Sequence, residues 1–308
     1  MKLTAKLLGG LATGALALSA VVTAVPANAA TQYPAPTATP ADCYGALLTM
    51  ESNRNLGAVF LSDGKLRWEH SNWSAPVPFD ATYLTQLGGY GDDTFGKFSY
   101  FGTSSDGTAK FYDERQDLQA DGTWKHSIDG AVTTLGSGWF QKSITTAYSG
   151  TSTVRGQQFV FRLTSGGELY RYTIDTGART VTGTVKVFGG GASITSIGSA
   201  PAVAVNGKPV AVLMATLSTG ELRQYLIPDA TPTQWSSKTI RPAAPNGWQN
   251  FTAISARNCT KGQIVIGYIK QHLVASYYDP TGLTANDTDI RGGASSLPAL
   301  PDTTRVFD

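Results

Sequence analysis

The chain has 308 residues, of which 15% are charged, and a formal net charge of +2 that falls to neutral once a leader containing Lys2 and Lys6 is removed. No run of Lys or Arg stands out, which excludes capture of nucleic acid or an anionic membrane by a dense basic face. Beyond the leader no apolar stretch is long enough for membrane insertion, so the surface is expected to act through hydroxyls, backbone and aromatic rings.

Residues 1–29 read as a signal peptide. Lys2 and Lys6 precede an uncharged stretch from Leu7 to Val25, Pro26 breaks it, and Ala27-Asn28-Ala29 is a small-residue cleavage site. The protein is therefore expected to be secreted and extracellular, and the long leader suggests a bacterial source. Residues 30–41 hold three prolines among small polar residues and predict an extended linker or disordered arm. The globular part is predicted over 42–292, with 293–308 as a tail or a closing strand.

Helical periodicity is almost absent after the leader. What recurs is an apolar run, a polar turn with glycine, and a second alternating run, the pattern of β-hairpins. Leu61-Ser62-Asp63-Gly64-Lys65-Leu66-Arg67-Trp68 is the first copy. Leu163–Tyr172 and Leu217–Tyr225 repeat it, Ser104-Ser105-Asp106-Gly107 is a weaker copy, and Ile269-Lys270-Gln271-His272 stands where a fifth is due. Gly64, Gly107, Gly167, Gly220 and Gln271 mark units of about fifty residues. A second mark agrees: Gly138-Trp139 and Gly247-Trp248 each precede a strand, and midway between them lies Gly191-Ala192-Ser193, also before a strand. Trp73, Trp124 and Trp235 form a third series. A unit of several strands cannot bury both faces alone, and stacking copies around an axis does so for all of them. The expected fold is thus an all-β propeller of five blades.

The two cysteines are Cys43 and Cys259. An even pair in an exported chain reads as a disulfide, the alternative being two separate buried thiols. In a propeller they would sit in the first and last blades, which are neighbours only when the ring closes.

The run Gly136-Ser137-Gly138-Trp139, followed by a strand, a polar turn and Gly167-Glu168-Leu169-Tyr170-Arg171-Tyr172, resembles the tachylectin-2-type five-bladed propeller lectins. The resemblance spans most of residues 43–292 and is specific in the blades around 135–172 and 245–278; the first two blades depart from it. It implies pockets between blades that bind N-acetylated hexosamines.

The residues themselves offer little chemistry for catalysis. No G-x-S-x-G occurs, no clustered Cys/His pattern implies zinc, and His70, His126 and His272 read as exposed strand-edge residues. Glu51, Asp113, Glu114, Glu168 and Glu221 could serve glycoside hydrolysis, but spacing does not pair them. Asp92-Asp93 could solvate a loop or hold Ca²⁺. No cofactor and no metal site is assigned. Sugar sites set an aromatic ring beside short polar groups, which makes Trp139, Trp248, Tyr170, Tyr172 and Tyr225 the candidate carbohydrate-binding residues, with Trp139 and Trp248 expected to be the most exposed. The competing reading is that rings repeated once per blade only pack blade against blade. The function expected first is a non-catalytic, multivalent glycan-binding protein. An adaptor for a secreted protein partner comes next, with the Pro-rich arm as its docking segment, and a secreted glycosidase or lyase third.

Overall fold

The computed structural model describes residues 39–70, 75–147, 156–243, 247–270, 272–297 and 300–308. The leader, nearly all of the Pro-rich arm, Trp73 and Gln271 lie outside the described residues. Among those described, no helix is long and apolar enough to cross a membrane.

Five four-stranded antiparallel sheets make up the fold. The second blade runs β4 (Ala81–Gly91), β5 (Phe95–Ser104), β6 (Ala109–Leu118) and β7 (Trp124–Gly136). The third is β8 (Gln141–Ala147), β9 (Gln157–Thr164), β10 (Leu169–Asp175) and β11 (Thr180–Phe188). The fourth is β12 (Ile194–Val205), β13 (Lys208–Leu217), β14 (Leu222–Pro228) and β15 (Ser236–Arg241). The fifth is β16 (Ala253–Asn258), β17 (Gln263–Lys270), β18 (Leu273–Asp279) and β19 (Arg291–Ser296). The first blade is composite: β1 (Gly45–Met50), β2 (Leu56–Ser62) and β3 (Lys65–His70) are completed by β20 (Arg305–Phe307), which pairs with β1 on its inner side.

The strands β4, β8, β12, β16 and β20 touch one another in a closed circuit, so they are the inner strands around a central channel. Each seam between blades has its own apolar core, and the second strands show why these sequences read as unbroken apolar runs. Successive side chains on a strand point to opposite faces, and both faces of a blade are covered. Val160 of β9 packs toward the second blade and Phe161 toward the fourth. In β17, Ile264 and Ile266 face the first blade while Val265 faces the fourth.

The predicted hairpin glycines sit at turns. Gly64, Gly107, Gly167 and Gly220 have φ between +69° and +86°, the left-handed region that glycine enters without steric cost. At Gly167 a side chain would also collide with the backbone of Ala192, where the next blade begins. The Asp121-Gly122 turn joins β6 to β7. Cys43 and Cys259 form a disulfide across the seam between the fifth and first blades.

Candidate functional site

The blade entries repeat by rotation, as the Gly-Trp marks imply. The amide of Trp139 donates to the carbonyl of Gly107 (2.9 Å), that of Gly191 to Gly167 (2.7 Å) and that of Trp248 to Gly220 (3.3 Å). Trp139, Gly191 and Trp248 therefore hold one place in three successive blades, each anchored on the hairpin of the blade before.

That place is buried, which corrects the expected exposure of the two tryptophans. Trp139 is 7% exposed and Trp248 6%. The Trp139 indole lies between Phe101 (5.1 Å between centroids) and Tyr172 (4.2 Å), with the Arg162 guanidinium over it at 5.3 Å. Trp248 packs on Phe251 (4.9 Å) and Tyr277 (4.4 Å). Tyr172 and Tyr225 are buried as well, Tyr225 against Phe188 at 5.2 Å. Tyr170 keeps partial exposure, its hydroxyl donating to Glu168 at 3.3 Å. The structure brings Trp139, Tyr170 and Tyr172 together, while Trp248 and Tyr225 belong to other clusters. The reason is geometric: a ring recurring at one blade position meets the equivalent seam of its own blade pair each time, and the seam is where apolar surface is removed from water. Beside Trp139 lies a small groove of about 140 Å³ lined by Tyr83, Thr103, Ser105, Phe140, Gln141 and Ser165, over which Phe140 is 60% exposed.

The more polar concavity lies at the opposite end of the same seam. Tyr83 and Tyr90 belong to one inner strand, β4, and seven residues of strand separate them by about 23 Å. Around Tyr90 the second and third blades enclose a cleft of about 430 Å³ lined by Lys97, Ser99, Asp113, Asp175, Thr176 and Arg179. Asp113 is its buried centre. Its Oδ1 accepts from the Ser99 hydroxyl (2.6 Å), and its Oδ2 from Arg179 Nη2 (2.6 Å) and Lys97 Nζ (3.2 Å). Lys97 also reaches Asp129 at 2.8 Å. Burial pulls the Lys97 ammonium down, but its bonds to Asp129 and Asp113 outweigh this and leave its pKa raised; the Lys97 bond in turn lowers Asp129. The β10–β11 turn supplies Arg179. Asp175 Oδ1 accepts from the amides of Gly177 (2.9 Å) and Ala178 (2.8 Å), and Arg179 closes the turn at φ +54°, a conformation uncommon outside glycine. Its guanidinium crosses the seam to Asp113 and to the carbonyls of Ala131 and Asp129, both at 2.9 Å.

Sequence reasoning missed this cleft. The available signal was Asp113-Glu114 directly after the apolar run Phe111-Tyr112 of β6. The aspartate is not repeated in the next two blades: after the third-strand tyrosine stands Asp113 in the second blade, Thr173 in the third and Leu226 in the fourth.

His126 also needs correction. Its side chain is 7% exposed, and its Nδ1 lies 3.0 Å from Glu114 Oε1, because β7 pairs with β6 so that His126 and Glu114 are diagonal neighbours on one face of the blade. Burial raises the Glu114 carboxyl despite that contact. His272 is partly buried, 2.6 Å from Asp302; the side chain of His70 lies outside what is described. Glu168 and Glu221 are ion-paired turn residues beside Lys186 and Arg223. Asp92 caps its own hairpin, accepting from the amides of Thr94 (2.8 Å) and Phe95 (3.0 Å).

A second cavity of about 430 Å³ opens at the channel mouth, lined among others by Tyr83, Lys142, Gln249, Tyr268, Arg305 and Asp308. Asp308 is the single carboxylate among its described lining residues. It is engaged by the Ser199 amide (2.6 Å), the Ser199 hydroxyl (2.9 Å) and the Thr145 hydroxyl.

No protein-family model matches the chain, and no curated protein matches it in sequence. Among solved structures it is similar to the six-bladed, fucose-recognising lectin of the fungus Aleuria aurantia, at 10% identity over 84% of this chain and 78% of that one, with a TM-score of 0.42. It is also similar to AofleA of Arthrobotrys oligospora (10% identity, 89% and 88% covered, TM-score 0.46). A third is a GH43 glycoside hydrolase engineered to display both endo-xylanase and exo-arabinofuranosidase activity (10%, 86% and 57% covered, TM-score 0.48). At these identities the likeness is one of propeller architecture.

Proposed function

We propose that the protein is a secreted, non-catalytic glycan-binding propeller whose sugar site is the cleft between the second and third blades. The observation that carries this reading is the buried Asp113 holding Ser99, Lys97 and Arg179 in fixed positions beside the half-buried ring of Tyr90. A pyranose offers an apolar C–H face and a belt of hydroxyls. A tyrosine ring with pre-ordered donors and acceptors answers both, and pre-ordering spares the entropy of arranging them on binding. Because Asp113 is not repeated in the third and fourth blades, this site is specific to its own seam, unlike the several equivalent sites that repetition implies. The ligand class that the lectin resemblance implies, an N-acetylated hexosamine, fits a cleft of this volume and polarity. The disulfide supports export, since such bonds persist in oxidising compartments.

The cleft's chemistry favours binding over hydrolysis. Asp113 is committed to Ser99, Arg179 and Lys97, and Asp175 is occupied by its own turn amides. Among the described lining residues of the channel mouth the one acidic side chain is Asp308, where the two-carboxylate route needs a pair.

The test is a glycan array probed with the exported protein, followed by titration of the best ligand into the parent, Tyr90→Ala and Arg179→Ala. Each variant should bind about ten- to a hundredfold more weakly, the loss of one stacked ring or one charged hydrogen-bond donor. Circular dichroism and melting must show that both variants remain folded. Parent-like affinity in both would remove the cleft as the site, and a parent that binds no glycan would overturn the reading in favour of the protein-adaptor function.

A further inference from the structure

The turn between β18 and β19 carries three aspartates, Asp279, Asp287 and Asp289, each with a carboxylate oxygen within 4.8 Å of the others. Asp279 and Asp287 are buried, at 0% and 3% exposure, while Asp289 is exposed. Among the described residues no Lys, Arg or His forms an ion pair with any of the three. Asp279 Oδ1 accepts from the amides of Thr281 and Gly282, both at 2.9 Å, but its Oδ2 is buried and receives no N–H or hydroxyl donor, facing the Asp287 carboxylate instead. A carboxylate oxygen taken from water and left unpaired is costly, and like charges at this separation add to that cost. The two nearby cations do not relieve it. Lys238 Nζ donates to the carbonyl of Leu283 (2.6 Å) and Arg241 Nη1 to that of Asp287 (2.8 Å), fastening the loop to the fourth blade through its backbone.

We propose that this loop binds a calcium ion between the carboxylates of Asp279, Asp287 and Asp289. The donor set is carboxylate oxygen without imidazole or thiolate, which selects a hard divalent cation. Calcium suits it better than magnesium. Asp287 is fixed by the amides of Thr284 (3.0 Å), Asp289 (3.0 Å) and Ile290 (3.1 Å), so the three carboxylates cannot contract to the short octahedral shell that magnesium demands, whereas calcium accepts longer, irregular coordination completed by water. The ion would lock the loop that docks the fifth blade onto the fourth.

The test uses metal-stripped full-length exported protein and the metal alone, so it does not depend on any glycan. One millimolar CaCl₂ should raise the melting temperature by about 5 °C over the same protein in EDTA, the size of shift that a site of about 10 μM affinity gives a domain of this length. Equimolar MgCl₂ should give less than half of it. Tb³⁺ emission should saturate and be displaced by Ca²⁺. Asp289→Asn, which removes one of three repelling charges, should melt no lower than the parent in EDTA and should lose most of the calcium shift; Asp287→Asn should lose all of it or fail to fold. Equal melting of the parent in CaCl₂ and EDTA, a magnesium shift as large as the calcium one, or an undiminished response in Asp289→Asn would each overturn the assignment.

Discussion

A Gly198→Ala variant should unfold about 3 kcal/mol more easily than the parent, at the upper end of what one added methyl costs in a packed interior. Gly198 lies on β12, where a Cβ would overlap the carbonyl oxygen of Ile254 on β16 and approach that residue's Cγ2 to 2.9 Å. The obstacle is backbone, which cannot rotate away as a side chain can. Relief requires β12 and β16 to move apart, and the inner strands form a closed circuit, so the displacement is passed to neighbouring blades. Urea unfolding measures the difference. Gly183→Ala on the outer strand β11 is the control, since its added carbon would meet Thr173 at an ordinary 3.5 Å, and it should change stability by less than about 0.5 kcal/mol. Equal midpoints for the two variants would mean that the inner ring is not in contact as described.

Removing the disulfide should have a comparable or larger effect. Cys43 and Cys259 enclose a loop with a sequence separation of 216 residues, and cross-linking so long a loop stabilises by up to about 5 kcal/mol in the chain-entropy account. The bond spans the seam between the fifth and first blades, whose apolar core holds Leu47, Val59, Ile264 and Ile266. The seam's buried contacts survive reduction, but the unfolded chain becomes far freer. Intact mass before and after reduction establishes the bond, and unfolding of a Cys43→Ala/Cys259→Ala variant measures its worth. Stability within about 1 kcal/mol of the parent would show that the unfolded chain gains little freedom from its loss.

The architecture was legible because turns and seams leave marks in residue type. A left-handed turn position selects glycine, and four of the hairpins carry it at a recurring place. The site was less legible. Recurrence at Trp139 and Trp248 identifies a repeated position but not the direction in which a ring points, and the position proved to be the seam. Asp113 and Arg179 lie far apart in the chain and meet only when two blades pack, and Asp113 is not repeated in the third and fourth blades, so periodicity does not reveal them. His126 reads as polar and exposed because nothing local announces its contact with Glu114. Asp287 and Asp289 look like ordinary turn residues until Asp279 is placed beside them. The strand Arg305–Phe307 is too short to show alternation.

The composite first blade has a consequence for how the protein is made. Leu48 of β1 pairs with Phe307 of β20, so the inner edge of β1 has no partner until residues 305–307 have been synthesised. Contacts this distant in sequence form late and slow the search for the native state, and an unpaired strand edge is a template for joining another chain. Conditions that hold nascent copies apart until residue 307 is available therefore matter more to the yield of this propeller than conditions that stabilise its finished ring.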